Sequence, residues 1–116
     1  MSRSKIPGPL ERRHLIEREL APAQALKTAE AYLAEGRALE AVEFLGKAGD
    51  EGSKSLQELR RAALEAGDLF LMRAVVAALG EAPDREEWLA LAAAAEAAGK
   101  ERYAVDARRQ AERGGG

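Results

Sequence analysis

The sequence predicts an all-α chain of stacked antiparallel helical hairpins, a short α-solenoid of about three hairpins with one further helix at the N-terminal side. Three observations predict it. Glycines at 36, 67 and 99 fall 31 and 32 residues apart, and a fixed spacing of this order is the mark of a repeated supersecondary unit. Apolar residues on both sides of each glycine recur with the period of a helix. Alanine dominates while aromatics make up only 4%, which suits helices in close contact better than a core of ring clusters.

Composition bounds what the chain does. With 116 residues, 47% apolar and 33% charged, it is long enough for one folded domain and too apolar for a disordered chain. A net charge of −2 gives no general attraction to nucleic acid or to an anionic membrane. The absence of cysteine excludes disulfides and thiolate metal sites and leaves the redox compartment open. No apolar segment approaches the ~20 residues that span a bilayer, and the N-terminus lacks a signal-peptide core, so the expected location is cytoplasmic. Thirteen arginines against five lysines, with no asparagine, hint at a high-G+C bacterial genome.

Residues 1–9 read as a flexible arm, because Pro7 and Pro9 disfavour helix before them. Residues 10–113 then form a single helical-repeat domain. From Leu10 to Leu20 a short amphipathic helix carries Leu10, Leu15, Ile16 and Leu20 on one stripe. It lies outside the repeat register and reads as a cap on the first hairpin, since an end repeat otherwise exposes its apolar face; the alternative is a helix that pairs with a partner.

The first hairpin begins at Pro22, a residue suited to the first turn of a helix. Ala25, Leu26, Ala29, Tyr32 and Leu33 are its apolar positions, Gly36 turns the chain, and the return helix spans Ala38 to Ala48. Gly49-Asp50-Glu51-Gly52 reads as a loop. Ser55 with Glu58 resembles a capping box opening the next helix, whose stripe is Leu56, Leu59, Ala63 and Ala66 and whose wet side holds Glu58, Arg60, Arg61 and Glu65. After Gly67-Asp68, for which a positive φ is expected at Gly67, the segment Leu69–Leu79 has one charge, Arg73. It therefore reads as a helix buried on nearly all sides, with a buried strand as the alternative. Asp84 followed by Glu87 is a strong helix-start signal, and Trp88, Leu91, Ala92 and Ala95 form the stripe behind it. Beyond Gly99-Lys100 a last helix, about Glu101–Glu112, buries Tyr103, Ala104, Ala107 and Ala111, and residues 114–116 form a disordered tail.

Aligned on their turn glycines, the hairpins resemble the tetratricopeptide repeat, W-x2-L-G-x2-Y followed by A-x3-F. Trp88, Leu91, Ala92, Ala95 and Ala104 carry the pattern in the third hairpin, Ala29, Tyr32, Ala41, Leu45 and Ala48 in the first, and Leu56, Leu59, Arg60, Ala63, Met72, Val76 and Leu79 in the second. The resemblance is degenerate: the spacing is short of 34, Arg60 stands where a small residue is usual, and Arg108 where an apolar one is. It implies that the first helices of successive hairpins line a groove for an extended peptide or a helix. Carried over in register, the groove residues are Lys27 and Glu30, then Gln57, Arg61 and Glu65, then Glu86, Leu89 and Glu96.

Reactive constellations are scarce. Nucleophilic catalysis needs a base beside its nucleophile; the one histidine, His14, lies in the entry helix outside the core, and the four serines, Ser2, Ser4, Ser53 and Ser55, are in the arm or at a helix start. Carboxylate pairs at Glu17/Glu19, Asp50/Glu51 and Glu86/Glu87 sit in polar, turn-proximal stretches and read as solvated or capping charges. No phosphate loop or calcium loop is present, so no enzymatic activity, cofactor or metal is expected. Arg60-Arg61 and Arg108-Arg109 lack interleaved aromatics and read as solvated faces before nucleic-acid contacts. Trp88 and Tyr103 read as core residues before partner anchors. The expected function is a non-catalytic protein–protein interaction module, an adaptor or scaffold with a protein or peptide partner; a homo-oligomerising scaffold is the alternative, and a nucleic-acid-binding helical protein a more distant one.

Overall fold

The computed structural model describes residues 21–114. Over that span the chain is all-α, with no strand: α1 Pro22–Ala34, α2 Ala38–Leu45, α3 Gly49–Ala66, α4 Leu69–Leu79, α5 Arg85–Ala97 and α6 Glu101–Gly114. The expected arm, the Leu10–Leu20 helix and His14 lie outside the described residues. The chain divides into two compact units after Leu56, within α3.

The three repeat glycines act as the sequence predicts. Gly36, Gly67 and Gly99 have φ of 73°, 66° and 78°. Each sits in the same closure, in which the residue after the glycine donates to a carbonyl five residues back: Arg37 N to Tyr32 O at 2.9 Å, Asp68 N to Ala63 O at 2.9 Å, Lys100 N to Ala95 O at 2.8 Å. This satisfies the last helical carbonyls and turns the chain sharply.

In the first unit α1 and α2 form a hairpin that buries Ala25, Ala29 and Tyr32 against Ala41, Val42, Phe44 and Leu45. Leu26 and Leu33 are half-buried flanks. The Tyr32 and Phe44 rings stack at 5.6 Å between centroids, and the Arg37 guanidinium lies over Tyr32 at 5.1 Å. Helix α2 ends at Leu45, short of the expected Ala48.

Residues 49–52, expected as a loop, form the first turn of α3. Asp50 and Glu51 suit the positive end of the helix. Gly52 is there for proximity: a Cβ would overlap the Leu45 carbonyl oxygen and come within 2.8 Å of the Ala48 Cβ. Ser55 is consequently interior to α3 and caps nothing. The buried residues of α3 are Gly52, Leu56, Arg60 and Ala63, so Arg60, expected on the wet side, occupies the core stripe, while Leu59 is half-buried and Ala66 exposed.

Helix α4 is a helix, as expected, capped by the Asp68 carboxylate accepting from Leu71 N at 3.0 Å. It is not buried on nearly all sides. Leu69, Leu71, Met72 and Val75 are buried, whereas Phe70, Arg73 and Ala77 stand exposed. These three are spaced i, i+3, i+7 and share one face.

Asp84 and Glu87 form a capping box with both reciprocal bonds, Glu87 N to the Asp84 carboxylate at 2.8 Å and Asp84 N to the Glu87 carboxylate at 3.1 Å. Trp88, Leu91, Ala92 and Ala95 of α5 pack with Ala104, Ala107 and Ala111 of α6 as the core of the last hairpin. Tyr103 is only half-buried, and Gly114 is the last residue of α6 rather than the start of a tail.

Within the second unit like helices run parallel. Arg60 of α3 meets Glu87 of α5, and seven residues later Gly67 meets Ala94. The Gly67 contact is backbone to backbone: a Cβ there would overlap Ala95 N and sit 2.8 Å from the Ala94 carbonyl carbon, whereas Gly99 faces open space. Gly99→Ala should therefore lose only about 1 kcal/mol of stability, for its left-handed backbone. Gly67→Ala should lose at least about 2 kcal/mol more, because the helices must also move apart. Equal losses in urea denaturation would show that the close approach contributes nothing.

Candidate binding surface

The α3–α5 seam is built on one buried arginine. Arg60 is 8% exposed and donates through Nε and Nη2 to the two Glu87 carboxylate oxygens, both at 3.0 Å. Its Nη1 donates to the Glu81 carbonyl at 2.9 Å. A bidentate fork of this kind is the strongest pairing available to a guanidinium. Glu87 thus does two jobs: it neutralises Arg60 and closes the capping box of α5. The Arg60 hydrogen bonds hold the Glu87 carboxyl below the usual carboxylate range, helped by Asp84 N–H and opposed by burial. The same hydrogen bonds raise the Arg60 guanidinium further, again against burial. Beside the pair, Gln57 Nε2 donates to the Glu81 carboxylate at 3.2 Å.

All eight groove residues expected from the sequence are exposed. Lys27 and Glu30 are on α1 in the first unit. In the second unit Gln57, Arg61 and Glu65 are spaced i, i+4, i+8 along α3 and share a face. Glu86 lies on the exposed side of α5 with Ala90, Ala93 and Ala97, whose small side chains leave that face smooth. Leu89, 37% exposed, and Glu96 lie toward the α6 edge, where the Arg108 guanidinium pairs with Glu96 at 2.6 Å. Glu96 is therefore engaged within the hairpin, and Gln57 with Glu81, while Arg61, Glu65 and Glu86 make no ion pair among the described residues.

A second surface was not anticipated. Phe70 is 55% exposed and meets Tyr103 edge-on at 5.3 Å. Farther along the same helices a cleft of ≈210 Å³ is lined by Arg73, Val76, Ala77, Trp88 and Gln110. The signal for it lay in Arg73: a single charge in an apolar helix marks the wet face, and Phe70 and Ala77 are one turn to either side of it.

Among the described residues there is no group of three or more histidine, aspartate or glutamate side chains placed to hold a metal ion, and no helix long and apolar enough to cross a membrane. Comparison with known proteins finds no matching family model, no matching curated protein and no matching solved structure.

The lowered Glu87 carboxyl fixes a sign. Its contribution to stability is complete above the ordinary glutamate value, about 4.3, and disappears as pH falls through the lower folded value. Glu87→Gln should lose about 2 kcal/mol at neutral pH, and the gap to wild type should narrow on acidification through and below that range. A gap that stays constant from neutral to acid pH in urea titrations would contradict the assignment.

Proposed function

We propose that this chain is a non-catalytic protein–protein interaction module, an adaptor or scaffold that holds a peptide or helix against the first helices of its hairpins. The observation that carries the reading is the division of labour across the α3–α5 seam. The buried Arg60 is paired with the half-buried Glu87, while Arg61, Glu65 and Glu86 remain exposed and without ion pairs among the described residues. A rigid platform with uncommitted charges of both signs favours a partner that also carries both signs. The groove implied by the tetratricopeptide resemblance would lie on this face.

Two other readings are weaker. Nucleic-acid binding rests on two arginine pairs, and each has one member engaged within the chain, Arg60 by Glu87 and Arg108 by Glu96. A self-associating scaffold draws on the exposed Phe70 and Val105. Sedimentation velocity separates it from an adaptor, since only the scaffold gains mass with concentration.

For the adaptor, Arg61→Glu should weaken a partner recovered by cross-linking in the source cell by at least about tenfold, with unchanged circular dichroism and melting temperature. A partner held equally by the variant would move the contact off this face.

A further inference from the structure

The α4–α6 furrow is a separate docking surface, and we propose that its occupant is an acidic amphipathic helix of a partner protein. The furrow has an aromatic end and a basic end. At the first, Phe70 and Tyr103 meet edge-on, with Lys100 Nζ 6.0 Å from the Tyr103 centroid. At the second lies the cleft between Arg73, Val76, Ala77, Trp88 and Gln110. Phe70 and Ala77 are seven residues apart on α4, and so are Tyr103 and Gln110 on α6. Two parallel helices therefore present matching contacts two turns, about 10 Å, apart.

Each feature specifies part of the occupant. A cleft of ≈210 Å³ is below the size of a small-molecule site, about 300 Å³ and up, and takes one large apolar side chain. Among the described residues Arg73 is the only charged one lining it, and no carboxylate among them, Asp106 of α6 included, pairs with it. The charge complement is a carboxylate beside the seated side chain. The exposed Phe70 edge offers the second apolar contact. A helix lying along the furrow meets both ends with apolar residues seven apart and places an Asp or Glu three or four residues from one of them.

The proposal rests on the interaction-module reading but moves the contact to a different face. It is tested with the whole chain and a phage-displayed library of random peptides of about 16 residues, long enough for a helix across both ends. Enriched peptides should show two large apolar residues seven apart with an acid between them. A fluorescein-labelled synthetic copy should lose at least about tenfold in affinity against Arg73→Glu and severalfold against Phe70→Ala. Arg73→Lys should keep most of the affinity, and Arg61→Glu all of it; circular dichroism should not change in any variant. Peptides lost with Arg61→Glu but not with Arg73→Glu overturn the furrow and leave the module reading standing. Enrichment of basic peptides, or of none, overturns the furrow, and the absence of any peptide counts against both. A doubling of mass in sedimentation that Phe70→Ala abolishes assigns the furrow to a second copy of the chain and overturns the proposal.

Discussion

The ion pair between Arg60 and Glu87 is the constraint on which the second unit depends. Placing a guanidinium in the core stripe of a helix is unfavourable unless its charge is neutralised and its nitrogens find acceptors. Here three of its nitrogens donate, two to one carboxylate and one to the Glu81 carbonyl. Because the Glu87 carboxylate also completes the cap of α5, the position of Arg60 and the start of α5 are set by one group. The pair thereby fixes the axial register of α3 against α5. At the other end of the seam, register places Gly67 against the Ala94–Ala95 backbone, where only a hydrogen fits.

That seam explains why the surfaces take the form they do. The close approach is at Gly67 against Ala94 and Ala95, and the exposed face of α5 beside it is a row of alanines, Ala90, Ala93 and Ala97, with Arg61 and Glu65 exposed on α3. Lys100 adds a tie, its Nζ donating to the Ala66 carbonyl at the end of α3 at 3.2 Å. Between α4 and α6 the Phe70 and Tyr103 rings meet at one end, and Trp88 lines the cleft at the other. Polar contacts thus belong to one face and apolar anchors to the other.

Much of the fold was legible in the sequence because its punctuation is local chemistry. The Gly36, Gly67 and Gly99 turns, the Asp84–Glu87 cap and the alanine core of α5 and α6 each follow from a few neighbouring residues. The failures have the opposite character. Gly52 reads as a breaker because its reason, the nearness of the Leu45 carbonyl, lies in another helix. Ser55–Glu58 has the pattern of a capping box, yet a helix that already began at Gly49 has no use for it. Arg60 reads as solvated because its partner is 27 residues away. The candidate site was legible only in part: Arg61, Glu65 and Glu86 are exposed as expected, Glu96 is engaged by Arg108, and the Phe70 furrow was hidden in a segment whose average hydrophobicity argued for burial.

A double-mutant cycle on the seam measures the role of the ion pair, with Arg60→Met, Glu87→Gln and the double variant compared with wild type by urea denaturation at neutral pH. A register-setting pair predicts a coupling energy of about 1.5 kcal/mol or more, the double variant being less unstable than the two single losses added together. Losses that add to within about 0.3 kcal/mol would show that the two side chains act independently and that the register of α3 and α5 is set elsewhere.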